Sequence, residues 1–111
     1  MSETFFEVLE FINQKDFRNA LTLLKKLEKQ STLNWYHAYL TGFCYRQLCD
    51  FPESVIYYKK SLSILPRQPL TINAMGISYQ KLGQLERAKQ SYEQSIDLLN
   101  IRYFPCLLYT S

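Results

Sequence analysis

The chain has 111 residues, 47% of them apolar and 21% charged, and a formal net charge of +3. That length suits one domain, the composition excludes disorder, and the scarcity of Gly (3) and Pro (4) excludes the many tight turns of a β-sandwich. So small a net charge, with the two signs interspersed, argues against nucleic acid or an anionic membrane as the main partner, and no apolar run approaches the ~20 residues that span a bilayer.

The opening Met1-Ser2-Glu3-Thr4 has neither a basic n-region nor an apolar h-region, so a secretory signal is not expected and the default compartment is the cytoplasm. Phe5, Val8, Leu9 and Ile12 fall at i, i+3, i+4 and i+7, one stripe of a helix that Lys15-Asp16 breaks. A second stripe through Phe17, Ala20, Leu21, Leu24 and Leu27 fades in Glu28-Lys29-Gln30. The next helix is predicted from about Asn34 to Leu48, with Ala38, Thr41, Gly42 and Tyr45 as its close-packing face. Gly42 costs about 1 kcal/mol relative to Ala inside a helix, a cost that makes sense where a partner helix presses on the backbone. Asp50-Phe51 makes the turn, Pro52 sits in the first turn of the following helix, and Val55, Tyr58, Leu62 and Leu65 point inward up to the stop at Pro66. Pro69 opens another helix with Ile72, Met75, Gly76 and Tyr79 inward, ended by Leu82-Gly83 with a residue able to take φ > 0. The last, from about Leu85 to Leu99, turns Ala88, Tyr92, Ser95, Ile96 and Leu99 inward, with Asn100 where Pro66 stood.

These helices repeat. Gly42 recurs as Gly76, Tyr45 as Tyr79, Tyr58 as Tyr92 and Ser61 as Ser95, each after 34 residues, and small Ser54 recurs as Ala88. A fixed period of this length marks helical hairpins that bury one another's apolar faces. The period and its Gly, Tyr, small-residue, Tyr and Pro66 positions resemble the tetratricopeptide repeat (TPR) family. The resemblance implies an all-α chain, a right-handed α-solenoid of three antiparallel helix-turn-helix hairpins: a degenerate repeat at 1–34, repeats at 35–68 and 69–102, and a tail at 103–111. The first helix departs from the pattern, because Glu7 and Val8 stand where Thr41-Gly42 and Met75-Gly76 stand later, and with Val8 in place of Gly the two helices are expected to pack less closely. TPR arrays usually close with a polar-faced capping helix; this tail has no amphipathic period. Its last six residues, from Cys106, resemble the in-frame translation of a transposon-end sequencing adapter, so the native sequence is expected to stop near Pro105 and the real protein to continue with more repeats or a cap.

Little in the chain suggests chemistry. His37 is the only histidine, no Ser/His/Asp or Cys/His set can be assembled around it, and no phosphate-binding glycine loop or HExxH occurs. Cys44, Cys49 and Cys106 form no CxxC and read as free thiols. Glu3, Glu7 and Glu10 read as a solvated acidic face, and Lys25-Lys26 and Lys59-Lys60 as solvated convex surface. No catalytic residue, metal or cofactor is expected, and the chain is read as a non-enzyme.

What remains is surface. Tyr36, Tyr39, Phe43 and Arg46, at i, i+3, i+7 and i+10, draw a second stripe on a helix that already has a buried face. In TPR proteins the first helices of successive repeats line a concave groove, and by that resemblance these four residues face it, together with Leu70, Asn73, Ile77 and Gln80 of the third repeat and Phe5, Leu9 and Ile12 of the first. The implied function is an interaction scaffold whose apolar, aromatic groove holds a helix or extended peptide of a protein partner. Family members that grip the acidic C-terminal tails of chaperones use Lys, Asn and Arg at positions occupied here by Phe5, Leu9, Leu40, Leu70 and Ala74, which disfavours that ligand. RNA is disfavoured too: Arg46 and Gln80 match as reading positions, but Tyr39 and Asn73 do not match in kind. The competing reading is self-association, through the aromatic stripe or an uncapped end of the array.

Overall fold

Local chemistry sets where each helix begins and ends. The computed structural model describes residues 5–30 and 34–103, and its helices are α1 (Phe5–Asn13), α2 (Phe17–Gln30), α3 (Trp35–Gln47), α4 (Phe51–Ile64), α5 (Pro69–Lys81) and α6 (Leu85–Tyr103). Asn34 caps α3 by accepting from the His37 N–H at 2.8 Å, and Asp16 accepts from the Asn19 N–H at 3.3 Å at the start of α2. Leu65, preceding Pro66, is extended (φ −134°, ψ 96°), so α4 cannot continue. With Asn100 in the corresponding place no such stop exists, and α6 runs on to Tyr103. The expectations about an adapter-derived end, a missing cap and Cys106 fall on residues outside those described.

The helix C-termini carry a period that the identity of the residues hides. Lys15, Cys49 and Gly83 have φ of 61°, 65° and 78°. They stand 34 residues apart. Each closes its helix with the same pair of hydrogen bonds, as in Cys49 N–H to Arg46 O (3.0 Å) and Asp50 N–H to Tyr45 O (2.8 Å). Only Gly83 adopts this left-handed conformation without a Cβ penalty. Cys49→Gly and Lys15→Gly are therefore each expected to stabilise the chain by about 1 kcal/mol, read as a raised denaturation midpoint at unchanged slope. An unchanged or lowered midpoint would contradict this account of the turns.

Each helix packs on its sequence neighbours, so three antiparallel hairpins, α1–α2, α3–α4 and α5–α6, stack as a right-handed α-solenoid. Within the hairpins the two glycines meet tyrosine rings: a Cβ at Gly42 would lie 2.8 Å from Tyr58 Cδ1, and one at Gly76 would lie 2.9 Å from Tyr92 Cε1. The first hairpin solves the same contact differently. Val8 is fully buried, and the position of Tyr58 and Tyr92 is taken by the smaller Leu24, which is also fully buried in the same cluster. The exchange keeps both side chains buried, while α1 and α2 come together less closely than the two later pairs, as expected with Val8 in place of Gly. Hydroxyls tie the helices together at equivalent points: Ser61 donates to Trp35 O at 2.8 Å and Ser95 to Pro69 O at 3.1 Å, while Ser54 and Ser78 pair at 2.7 Å between hairpins.

Several inward assignments need correction. Leu65, Ile96 and Leu99 are exposed (43%, 57% and 39%), and Pro66 is exposed as well. Leu65 turns out with the extended backbone that precedes Pro66, and Ile96 lies on the side of α6 that no described helix covers. Tyr57, not singled out by the period, is buried and stacks on Tyr45 at 5.6 Å. Nor are the lysine pairs simply solvated. Lys25 bonds the Tyr57 hydroxyl and pairs with Glu28 at 3.4 Å, and Lys60 Nζ lies 4.3 Å from the Tyr57 ring centre. The bond to Tyr57 holds the Lys25 ammonium above its ordinary range despite partial burial.

Candidate binding groove

Helix α3 presents two faces because its aromatic residues recur at the helical period on the side away from Ala38 and Thr41. Tyr36 and Tyr39 stack with ring centres 6.4 Å apart at 14°, and Tyr39 and Phe43 stack at 6.4 Å and 25°. The Arg46 guanidinium closes the ladder 5.4 Å from the Phe43 ring. At the other end Trp35 meets the edge of Tyr36 at 5.4 Å.

The ladder is not equally open along its length. Tyr36 is 37% exposed, whereas Tyr39 and Phe43 are half-buried: Tyr39 leans on Tyr58 at 5.9 Å and Phe43 meets Phe17 edge-on at 5.9 Å. Burial pushes the Tyr39 hydroxyl above its ordinary value, partly countered by Arg46. Phe5 contacts Tyr36 at 6.3 Å and is half-buried, as is Ile12, while Leu9 stays open at 40%. On α5, Asn73 and Gln80 are exposed and Ile77 is half-buried.

Two of the polar positions are already engaged, and in the same way. Arg46 Nε donates to the Tyr58 hydroxyl at 3.2 Å, and the Tyr92 hydroxyl donates to Gln80 Oε1 at 2.8 Å, one period later. A ligand that uses Arg46 or Gln80 shares them with a tyrosine. Leu40 and Ala74 are 4% exposed, which withdraws two of the five positions used for acidic chaperone tails from any ligand.

Sequence reasoning missed a hollow. Trp35, Leu65, Pro66, Arg67, Gln68, Pro69 and Leu70 line an apolar depression of about 480 Å³ beside Tyr36. Leu70 forms the wall between it and a second depression of about 370 Å³ that reaches Asn73, Ile96 and Leu99. The α4–α5 loop that builds the hollow is held by Gln68, which is only 6% exposed: its amide donates to Leu65 O at 2.6 Å and Ser61 O at 3.1 Å, and accepts from Thr71 Oγ1 at 2.7 Å. The sequence signal was the pair Pro66 and Pro69 flanking a polar residue in register with Asn34.

The chain's histidine is structural in its setting. His37 is 2% exposed, its Nε2–H donates to Leu24 O at 2.8 Å across the first two hairpins, and its Nδ1 has no hydrogen-bond partner. Among the described residues no group of three or more His, Cys, Asp or Glu side chains is gathered as for a metal ion, and no helix is long and apolar enough to cross a membrane.

Comparison with known proteins supplies the family context. Residues 71–98 match the tetratricopeptide repeat family. The chain is 34% identical over 71 residues to anaphase-promoting complex subunit 6 of Dictyostelium discoideum, and 33% identical over 79 residues to the uncharacterized protein ycf37 of Guillardia theta. These alignments take in 64% and 71% of this chain but 8% and 43% of those relatives. Solved structures of MamA from AMB-1 and MSR-1 superpose on 82% of the chain with a TM-score of 0.77 at 22% identity, and the chain spans about half of each (54% and 52%).

Proposed function

The chain belongs to the tetratricopeptide repeat family, and from that premise we propose that it is a non-catalytic protein–protein interaction scaffold that holds an apolar segment of a partner along the inner face of α3 and α5. One relative is by its name a subunit of a larger complex, which fits a scaffold role. The observation that carries the reading is that Trp35, which lines the apolar hollow with Leu70, is in ring contact with the open Tyr36. A bulky side chain of the partner seats in the hollow, the adjoining backbone runs over Tyr36 and Leu9, and Asn73 supplies a hydrogen bond. Tyr39 and Phe43 stiffen the ladder from below more than they contact the ligand, because their own packing already covers half of each.

Selection of a random displayed-peptide library on the full chain tests this. The selected peptides are expected to carry aromatic or large aliphatic anchors. Tyr36→Ala and Leu70→Glu, both at exposed positions, are expected to weaken their binding at least tenfold, about 1.4 kcal/mol, with the melting temperature unchanged. Peptides that bind both variants as well as the parent chain would remove the groove from consideration.

A further inference from the structure

We propose that the outer face of α2 and α4, separate from the groove on α3 and α5, is a second docking surface that takes an acidic amphipathic helix of a protein partner.

Charge is not spread evenly over the chain. Six of its 13 lysines and arginines, Arg18, Lys25, Lys26, Lys29, Lys59 and Lys60, lie on α2 and α4, against the two carboxylates Glu28 and Glu53. That surplus of four exceeds the +3 of the whole chain, so everything else is slightly acidic. The sign also changes along the array. One period after Lys59 stands Glu93, and two periods after Lys29 stands Asp97, both exposed on α6. Interspersed charges keep a protein soluble equally well, whereas a surface of one sign selects a partner of the opposite sign.

The basic face is built on a buried ring. Tyr57, only 4% exposed, gathers two lysines: Lys25 bonds its hydroxyl with Nζ 4.9 Å from the ring centre, and Lys60 Nζ lies 4.3 Å from the same centre. The two ammonium groups are therefore at most about 9 Å apart. Tyr45 of α3 stacks on the ring at 5.6 Å and keeps it in place. Glu28 is already occupied, by Lys25 at 3.4 Å and by the Tyr57 hydroxyl, which donates to it at 3.3 Å. No carboxylate among the described residues pairs with Lys60. An ammonium already held in place loses little side-chain entropy on binding, so more of its attraction for a carboxylate is realised. Apolar groups flank it. Ile56 and Ile64, four positions before and after Lys60 on α4, are 46% and 45% exposed. A step of four follows one ridge of a helix and sets the two isoleucines about 12 Å apart. A partner helix with the matching ridge, two apolar side chains with carboxylates between them, covers all three residues. A nucleic acid stacks its bases on aromatic rings and a bilayer takes in projecting aromatic side chains, but on α4 Tyr57 and Tyr58 are buried and Phe51 is half-buried.

The test uses the full chain carrying Leu70→Glu, which blocks the groove, so that this surface and the groove are read separately. Peptides selected on it from a random displayed library at physiological salt are expected to be acidic, with large aliphatic residues flanking their carboxylates. Their affinity is expected to fall at least tenfold with each of Lys60→Glu, Lys29→Glu and Ile56→Gln added. Lys29 and Ile56 are exposed, so those two variants are expected to keep the circular dichroism and melting temperature whatever Lys60→Glu does to the Tyr57 ring. Glutamine in place of the peptides' glutamates, or in place of their aliphatic residues, is expected to abolish binding. Vesicles of equimolar phosphatidylcholine and phosphatidylserine, and single-stranded oligothymidine, are expected to bind more weakly than the peptides. Selection of neutral or basic peptides, or of none, overturns the proposal. So does affinity that none of the three variants moves, or tighter binding of the vesicles or the oligonucleotide, which would assign the face to a lipid surface or a nucleic acid instead.

Discussion

Gly42→Val is expected to destabilise the chain by about 3 kcal/mol, and Tyr58→Leu to cost less when added to that variant than it costs alone. The helix interior favours side chains other than proline's over glycine there, by up to about 1 kcal/mol for alanine. Space decides the sign. A Cβ at Gly42 falls 2.8 Å and 2.9 Å from two atoms of the Tyr58 ring and 3.2 Å from the Ser54 carbonyl oxygen, all closer than normal contact. The ring has little room to retreat, since Tyr58 is fully buried, leans on Tyr39 and receives the Arg46 hydrogen bond. The molecule already contains the alternative solution in its first hairpin, where Val8 and Leu24 occupy these two positions. Tyr58→Leu alone leaves a cavity and costs about 2–4 kcal/mol, so the double variant is expected to cost at least 1 kcal/mol less than the sum of the singles, about the coupling seen for residues in contact. Gly76→Val is expected to be milder, because Tyr92 is only half-buried and can swing outward. A double-mutant cycle by denaturant unfolding reads all of this. Additive losses at positions 42 and 58 would mean that the glycine is retained for some reason other than the tyrosine ring.

The same contact shows why so much of the fold was legible in the sequence. Gly42 and Gly76, Tyr58 and Tyr92, and Ser61 and Ser95 carry information because a helix–helix contact with no room for a Cβ accepts few residue types. Where the backbone sets the requirement and the side chain is indifferent, the identity of the residue gives no warning. Lys15 and Cys49 take the left-handed turn that Gly83 takes, and only counting along the period reveals it. Exposure at the ends depends on what lies beyond them. Leu62 and Ile96 are equivalent, yet Leu62 is half-buried and Ile96 57% exposed, because α5 follows one hairpin and no described helix covers the other.

The candidate site was legible only as a stripe. Period and hydropathy put Tyr36, Tyr39, Phe43 and Arg46 on one face of α3, but how much of each remains open depends on Phe17 and Tyr58, which belong to other helices. The hollow was beyond reach because Trp35, Leu65 and Leu70 meet only through the path of the α4–α5 loop, set by Pro66 and by the buried Gln68 amide. A polar side chain with no charge and a weak propensity leaves no periodic trace when its importance comes from satisfying three backbone and hydroxyl groups.

Raising the pH is expected to unfold the chain between about pH 10 and 12, earlier than ordinary tyrosine and lysine titration would cause. Burial alone pushes the Cys44 thiol from 9.0 up to about 12. Burial also pushes the Tyr58 hydroxyl from 10.0 up to about 12, with the Arg46 hydrogen bond and charge only partly opposing it. Both groups are neutral when protonated, so the folded chain holds these protons over a pH range in which the unfolded chain has lost them. The folded state then binds more protons, and stability falls as pH rises. The full contribution is present below the unfolded values and is lost as pH climbs through the folded ones. At about 1.4 kcal/mol per pKa unit the two groups together withdraw up to roughly 7 kcal/mol, comparable with the whole stability of a small domain. Tyr39 and Tyr45, both raised by burial, act in the same direction. So does Lys25, whose raised value means that the folded chain gives up its proton later than the unfolded one. Urea unfolding at a series of pH values checks the slope, and Cys44→Ala isolates the thiol: the variant starts less stable at neutral pH but is expected to lose less between pH 9 and 12, so the two curves converge. Thiol labelling offers an independent reading at pH 8, where exposed Cys49 is expected to react at once and buried Cys44 only as fast as the chain opens. A parent chain whose stability is flat to pH 12, or a variant that falls with the parent's slope, would show that the Cys44 side of α3 is open to water.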